Sequence, residues 1–194
     1  MHLIQPPLLL ASKSPRRQDL LRAAGIDFKL LNVDVEEDYP DEMEVLLVPE
    51  FLARKKAEAA LSCIEPGHII LAADSVVIKN GEIFGKPKDR DHAIEMTKLL
   101  AGHPHLVITG VCICDNEKTI SFSEHTHVWI DPMTQDEIEY YIDHFMPLDK
   151  AGSYGIQDWI GWVKVSRIEG SYANVMGLPV HKVYQVIRDW MKDK

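Results

Sequence analysis

Cysteine is scarce in this 194-residue sequence, which contains three, an odd number. Small secreted domains that are held together by disulfides usually carry an even set of cysteines, so the sequence does not fit that class. Cys112 and Cys114 lie two residues apart in a run of β-forming residues, which places both thiols on one face of a strand. We interpret both as reduced thiols of the hydrophobic core, with a metal site as the alternative.

Long hydrophobic runs are also absent. The longest, such as residues 8–11 and 69–73, fall far short of the roughly 20 apolar residues that a membrane-spanning helix needs. Residues 1–7 contain neither the basic segment nor the cleavage site of a secretory signal. We therefore expect a cytoplasmic protein that does not bind membranes.

Positive charge is in the minority, because 21 lysines and arginines against 30 aspartates and glutamates leave a net charge of −9. A protein that binds nucleic acid through a broad phosphate-neutralising surface needs the opposite balance, so we expect no nucleic-acid partner. Any polyanion that binds this protein must meet a local basic pocket.

Two common nucleotide-binding fingerprints are missing as well. The sequence has neither a Walker A loop nor a Gly-x-Gly-x-x-Gly segment, which argues against P-loop NTPases and Rossmann dehydrogenases. It also lacks internal repeats and low-complexity linkers, and 46% of its residues are hydrophobic, enough to bury a core. We predict a single domain over residues 1–194.

Strand and helix signals alternate along the chain, which predicts an α/β fold with mixed strand order. Thr134 and Glu137 form a capping box, and Asn80-Gly81 is a strong hairpin signal. The predicted strands cover residues 8–11, 69–78, 106–114, 119–130 and 159–168. The predicted helices cover residues 15–24, about 44–61, about 89–101, about 135–145 and about 179–191.

The most informative segment, residues 8–17, reads LLLASKSPRR and runs from a buried strand into a helix. Arg16 and Arg17 fall in the first turn, where the helix dipole disfavours positive charge unless an anion is bound there. A phosphate chain would bond the free amides, the hydroxyls of Ser12 and Ser14, and both guanidinium groups. The alternative is a surface helix whose arginines pair with Asp19 or another acid.

Acidic residues occur at two further positions of interest. Asp74 is embedded in an apolar strand, so its carboxylate needs a partner. It acts either as a base or metal ligand, or as a structural aspartate that accepts from backbone amides. The run Glu36, Glu37 and Asp38 offers oxygen ligands to Mg²⁺, with a solvated loop as the alternative.

Two lysines and one glutamine complete the candidates. Lys86 is restrained beside a proline in GKP, whereas Lys56 follows Lys55 on a predicted helix where a solvated face is the simpler interpretation. Residues 149–157, DKAGSYGIQ, form a glycine-punctuated loop that ends in Gln157, whose amide can read a base edge; a structural turn is the alternative. Residues 168–179 either orient a phosphate or cap the last helix.

Taken together, these segments resemble the Maf family of nucleoside triphosphate pyrophosphatases, and the likeness runs from Leu8 to Trp190. The matching segments occur in the family's order. They are LASKSPRR at 10–17, ADSVV at 73–77, GKP at 85–87, TGV at 109–111, KAGSYGIQ at 150–157 and GSYANVMGLP at 170–179.

The resemblance implies an α/β (mixed α+β) fold in which helices flank an elongated mixed β-sheet, as in inosine triphosphate pyrophosphatases. Two lobes with a central cleft, and a homodimer, are part of this expectation. The implied reaction is hydrolysis of a nucleoside triphosphate between its α and β phosphates with a divalent metal, Mg²⁺ or Mn²⁺. Asp74 is the implied general base and Lys86 a catalytic cation, and Asp74 with Glu37 are the implied catalytic metal ligands.

The family's pattern also assigns the substrate contacts and favours the branch that acts on dTTP and UTP. The implied substrate-binding residues are Ser12, Ser14, Arg16, Arg17, Lys56, Ser75 and Gln157. Ser75 stands where threonine is usual, and Asp158 where glycine is usual. The alternatives are a purine-type house-cleaning pyrophosphatase and a non-catalytic nucleotide sensor linked to cell division.

Overall fold

The computed structural model describes residues 8–62 and 67–192. Residues 1–7, on which the absence of a secretory signal was argued, and Cys63 lie outside the described residues. Within the described residues, the strands are β1 (Leu8–Leu10), β2 (Lys29–Leu30), β3 (Ile69–Lys79), β4 (Glu82–Phe84), β5 (Pro104–Cys114), β6 (Thr119–Ile130) and β7 (Val165–Glu169). The α-helices are α1 (Pro15–Ala23), α2 (Val48–Leu61), α3 (Arg90–Leu100), α4 (Gln135–Phe145), α5 (Trp159–Val163), α6 (Tyr172–Met176) and α7 (Val180–Lys192).

The described strands form one mixed sheet in the order β2-β1-β3-β5-β6-β7, with β4 paired to β3. β1 runs parallel to both β2 and β3, whereas β4 and β7 pair antiparallel with β3 and β6. This arrangement confirms the predicted α/β class with mixed strand order. No helix in the described part of the chain is long and apolar enough to cross a bilayer.

The described residues divide into two compact units. Unit 1 contains the described residues up to Asp74, Thr109–Glu124 and those from Gly177 onward, and unit 2 contains Ser75–Ile108 and His125–Met176. The core of unit 2 is built from β-strand residues, α3 and α4, with the fully buried Tyr141 among them.

Unit 1 has two hydrophobic layers, one on each face of its strands. Alternation along β3 sends Ile69, Leu71 and Ala73 into one layer with α1 and α7. Ile70 and Ala72 point to the other face, where they pack on the alanines of α2. Cys112 and Cys114 are buried in that second layer as free thiols, which confirms the interpretation as reduced core residues.

Several local signals are confirmed. Asn80 and Gly81 both have positive φ (52° and 81°) and join β3 to β4 in a two-residue hairpin turn. The capping box of α4 is present, with Thr134 accepting from the Glu137 backbone N–H.

Two predicted boundaries are wrong. Residues 159–168 do not form one strand, because α5 occupies Trp159–Val163 and β7 begins only at Val165. The β-forming residues there lack strict alternation, and a Cβ at Gly161 would lie 1.7 Å from the Ile156 carbonyl oxygen, so this glycine permits a tight helical turn. The second error concerns α2, which begins at Val48 and not near Glu44, because Pro49 belongs in a first helical turn.

Candidate active site

The segment LASKSPRR places a short loop and the first turn of α1 after the buried strand β1. Ser14 stands at the N-cap position with extended backbone, and its N–H donates to Ser12 Oγ over 3.3 Å. Arg17 Nη1 also donates to Ser12 Oγ (3.0 Å), and Arg17 Nε donates to the Gly177 carbonyl (2.8 Å). Arg17 therefore ties the loop to the glycine that precedes α7.

The surroundings of Arg17 differ from those of an exposed surface arginine. Burial lowers the pKa of the Arg17 guanidinium, and the charge of Arg16 lowers it further, while Asp74 and Glu37 raise it. Asp19, which an exposed pair would use, accepts instead from Arg22 over 2.9 Å. Asp19 is therefore not the partner of Arg17, and the loop contacts of Arg17 favour a built cationic site.

Asp74 forms an ion pair with Lys56. The Lys56 ammonium lies 2.6 Å from Asp74 Oδ1 and 2.8 Å from Glu37 Oε1. The side chains of Lys56 and Asp74 are 17% and 11% exposed, whereas that of Glu37 is 50% exposed. The simpler interpretation of Lys56 as a solvated lysine is therefore wrong, and Asp74 pairs with an ammonium.

Two periodicities bring Lys56 and Asp74 together. Asp74 follows Ile70 and Ala72 at even positions of β3, so it points to the same face of the sheet as they do. That face carries α2, whose residues Ala53 and Ala60 are buried there. Lys56 is three residues after Ala53 and four before Ala60, so it lies on the same side of the helix.

Lys55, the neighbour of Lys56, points elsewhere. Its ammonium forms a short ion pair with the carboxylate of Asp38, whose side chain is 71% exposed. Together with the 50% exposed Glu37, this places the acidic run of residues 36–38 beside α2, where Glu37 reaches the Asp74 pair and Asp38 does not.

The two carboxylates fit a divalent metal that binds together with a substrate. Both oxygens lie within 2.8 Å of one ammonium nitrogen, which stands in for a cation at that point. Among the described residues, no group of three or more histidine, cysteine, aspartate or glutamate side chains is placed to hold an ion. Mg²⁺ typically uses one or two carboxylates and completes its shell with waters and substrate phosphates, so a two-carboxylate set is sufficient for it.

The remaining candidates belong to unit 2. Ser75 follows Asp74 in β3 and is half-buried, while Lys86 is exposed between Gly85 and the buried Pro87. Gly85 is anchored, because its carbonyl accepts from the Gly152 N–H over 3.0 Å.

Gln157 ends a tightly constrained loop. Its backbone carbonyl accepts from Trp162 Nε1 (3.0 Å), and its buried side-chain Oε1 has no hydrogen-bond donor among the residues that the structure describes. A Cβ at Gly155 would lie 2.8 Å from Gln157 Nε2 and 2.5 Å from Asp158 Oδ2, so a larger residue there would displace the ends of these side chains.

Tyr141 and Asp158 hold this loop in place, and sequence reasoning identified neither role. The Tyr141 hydroxyl donates to Asp158 Oδ2 (3.1 Å) and accepts from the Gly155 N–H (3.0 Å). Burial raises the pKa of Tyr141, which keeps the hydroxyl protonated as a donor. Asp158, the departure from the family's usual glycine, thus has a structural partner. The unusual identity of Asp158 was the only signal of this contact in the sequence. Tyr141 gave no signal, because it lies among the core positions of α4.

A buried histidine supports the same loop from β5. His105 Nε2 lies 2.7 Å from the hydroxyl of Tyr154, and both side chains are buried. Burial lowers the pKa of His105 to about 4, and the nearby charges of Lys79 and His127 lower it further. His105 is therefore neutral in the folded protein at physiological pH.

This histidine makes stability depend on acid. We expect the contribution of neutral His105 to the free energy of unfolding to be fully present above pH 6.5. It should be lost as the pH falls from 6.5 towards 4, because in that range the unfolded chain binds a proton at His105 and the folded protein does not. The expected loss is on the order of 2 to 3 kcal/mol. Urea unfolding at several pH values would measure it, with the exposed His103→Gln as the control for His105→Gln. Equal pH dependence in wild type and His105→Gln would contradict the assignment.

Ser171 and Asn174, from the motif of residues 170–179, have a structural role in unit 2. Asn174 is fully buried, and its Nδ2 donates to the Val107 carbonyl (3.2 Å) and to Thr126 Oγ1 (2.9 Å). Ser171 Oγ accepts from the Asn174 N–H, and the Ser171 N–H donates to Thr126 Oγ1. These bonds cap the short helix α6 and anchor it to β5 and β6, and the two interpretations for the start of the last helix, α7, stay open.

In unit 1, then, the structure gathers Ser12, Arg16, Arg17, Glu37, Lys56 and Asp74 through hydrogen bonds, ion pairs and charge interactions. A carboxylate that interacts with two cationic groups, Lys56 and Arg17, can accept a proton beside a bound polyanion. Serine hydroxyls and guanidinium groups at a helix N-terminus are the donors that phosphate oxygens require.

Comparison with known proteins yields relatives along nearly the full length. A Bacteroides fragilis (strain YCH46) protein described as a dTTP/UTP pyrophosphatase is 46% identical over 182 residues, 93% of this chain and 94% of the relative. A Porphyromonas gingivalis (strain ATCC 33277) protein with the same description is 45% identical over 186 residues, 94% of each chain. Among solved structures, a Staphylococcus aureus Ham1 protein is 20% identical, with 63% of this chain and 71% of that chain covered, at a TM-score of 0.47, too low to define a shared fold.

The family comparison covers the whole of both units apart from a few terminal residues. The model described as Maf-like protein matches residues 7–190, which include every segment on which the resemblance was argued. This chain belongs to the Maf family.

Proposed function

We propose that this protein hydrolyses dTTP and UTP to the nucleoside monophosphate and pyrophosphate. One observation carries the proposal: the carboxylate of Asp74, in a buried strand, is held by Lys56 and lies within the electrostatic reach of Arg17. Hydrolysis of a polyanion needs a proton acceptor close to cations that neutralise the phosphates. The relatives named dTTP/UTP pyrophosphatases suggest the substrate class.

In this reaction Asp74 accepts a proton from the attacking water. The water oxygen bonds to the α-phosphorus while the bond from this phosphorus to the oxygen that bridges it to the β-phosphorus breaks. Pyrophosphate leaves with the electron pair of that bond. The hydroxyls of Ser12 and Ser14 donate to phosphate oxygens. Arg16 and Arg17 neutralise the charge that builds up on the triphosphate, which is the main source of catalysis in phosphoryl transfer.

A divalent metal, Mg²⁺ or Mn²⁺, is part of the proposal, with Asp74 and Glu37 as its protein ligands. When bound, such an ion would neutralise phosphate charge as the leaving group departs. We also assign Lys56, Lys86 and Ser75 to the triphosphate, following the family's motifs.

The base preference is assigned to Gln157. Its buried Oε1 lacks a donor among the described residues, and the imide N–H of uracil or thymine is a donor that would satisfy it. The Nε2 amide can donate in return to a carbonyl of the same base. Cytosine has no imide N–H, so this pairing favours UTP and dTTP over CTP.

The proposed activity is tested by measuring pyrophosphate release from a panel of nucleoside triphosphates with Mg²⁺ or Mn²⁺. We expect UTP and dTTP to have the highest kcat/KM. Preference for ITP or XTP would indicate the purine-type alternative. Nucleotide binding without turnover of any substrate would indicate a sensor and would contradict the proposal.

Replacing Gln157 with glutamate is expected to lower kcat/KM for UTP and dTTP by about 10- to 100-fold, because the side chain keeps its size but loses its donors. GTP should change much less, so that discrimination falls. The control is Gln135→Glu, which makes the same substitution at an exposed position of unit 2. If Gln157→Glu lowered kcat/KM by the same factor for all nucleotides, Gln157 would support the loop and not read the base.

We further propose a homodimer in the cytoplasm, as the family resemblance implies. Light scattering of the purified protein tests the first, and fractionation of the source cells tests the second.

A further inference from the structure

Lys56 occupies the point at which the two proposed metal ligands converge. Its ammonium contacts Asp74 Oδ1 at 2.6 Å and Glu37 Oε1 at 2.8 Å, and its side chain is only 17% exposed. Neutralising these two carboxylates is the task that a divalent cation would perform. An ammonium and a divalent cation repel each other at this distance, so they do not share the position.

We propose that Lys56 is an internal counter-cation that keeps metal out of the site until a triphosphate arrives. In the nucleotide-free protein the ammonium satisfies Asp74 and Glu37. Phosphate oxygens offer Lys56 an alternative partner, and the carboxylates then become available to the metal. Metal and nucleotide therefore bind with positive coupling, and each raises the affinity for the other by the same factor.

The position of α2 supports a displaceable lysine. Lys56 reaches the site on a flexible side chain with three donors, so it can exchange a carboxylate for a phosphate without movement of the helix. Glu37 is half exposed, so one side of the pair is open to solvent. The inference rests on the proposed function only for the identity of the triphosphate. The competition between Lys56 and metal stands on the two contacts alone.

The test measures Mn²⁺ binding at constant pH by isothermal titration calorimetry, first without nucleotide. We expect Lys56→Met to bind Mn²⁺ at least about tenfold more tightly than wild type, because the competing ammonium is gone. Lys55→Met is the matched control, since Lys55 is the preceding residue and pairs with Asp38. It should bind Mn²⁺ as wild type does.

The second arm adds the non-hydrolysable α,β-imido-UTP. In wild type we expect the analogue to raise Mn²⁺ affinity by a larger factor than in Lys56→Met, where the coupling through Lys56 is absent. Mn²⁺ binding to Lys56→Met that is no tighter than to wild type would overturn the proposal. That result would leave the proposed hydrolysis of UTP by wild type untouched. If instead Lys56→Met bound Mn²⁺ more tightly but wild type did not hydrolyse UTP, only the proposed function would be overturned.

Labelling of the wild-type protein covers the case in which Lys56→Met does not fold. Reductive methylation, followed by tandem mass spectrometry that distinguishes Lys56 from Lys55, reports whether the ammonium is held. Lys56 should react slowly without metal and faster when saturating Mn²⁺ displaces it, with Lys55 unchanged. Equal labelling of Lys56 with and without Mn²⁺ would contradict displacement.

Discussion

Asp74→Asn is expected to lower kcat for UTP by about 10² to 10⁴-fold, the range for loss of a positioned general base. Asparagine keeps the size of the side chain and one oxygen for Lys56, but it cannot accept the proton of the attacking water. Because Asp74 is 8% exposed and points at Lys56, no other described contact needs to rearrange. Steady-state kinetics at saturating UTP would measure the effect.

The control for Asp74→Asn is Asp189→Asn, which removes an exposed carboxylate on α7 that pairs with Lys192. It should keep wild-type turnover. Thermal melting of both variants verifies that they are folded. Turnover by Asp74→Asn at the wild-type rate would show that another group accepts the proton.

Arg17→Ala is expected to damage both stability and activity. It removes a half-buried guanidinium that donates to Ser12 Oγ and to the Gly177 carbonyl. Losing these charge-assisted hydrogen bonds costs about 1.5 to 3 kcal/mol, which lowers Tm by roughly 5 to 10 °C in a domain of this size. We also expect kcat/KM for UTP to fall at least about tenfold, since one charge-assisted phosphate contact is lost.

Two neighbouring arginines separate these effects. Arg16→Ala should lower kcat/KM for UTP by about 10- to 150-fold, equivalent to about 1.5 to 3 kcal/mol, because Arg16 is assigned to a phosphate oxygen of the substrate. Arg22→Ala, on the exposed side of α1 beside Asp19, should change neither by more than about 0.5 kcal/mol. If Arg17→Ala had the Tm and the kinetics of wild type, the segment LASKSPRR would be an ordinary surface helix.

Local signals predicted much of the fold. Helix α1, the capping box of α4 and the Asn80-Gly81 hairpin depend on residues within a few positions of one another, so short-range chemistry decides them. The segment at 159–168 was predicted wrongly because its residues favour strands, while close packing of Gly161 on the Ile156 carbonyl selects a helical turn. Packing overrides propensity in such a short segment.

The residue types of the site could also be predicted from the amino-acid sequence. Two arginines in a first helical turn and a carboxylate in an apolar strand violate ordinary local preferences, and such violations mark ligand sites. The partners of these residues could not be predicted from the sequence, because they are distant along the chain. Lys56 and Asp74 are 18 residues apart, and Arg17 and Gly177 are 160 apart.

The amino-acid sequence alone thus determined the alternation of strands and helices, the family, and the chemical groups available for a polyanion, because each depends on local pattern. Only the tertiary structure decided which charge neutralises which. It placed α2 against one face of β3, so that Lys56, and not a backbone amide, became the partner of Asp74. It also gave Asp158 a donor in Tyr141, since contacts between distant residues depend on how whole elements pack.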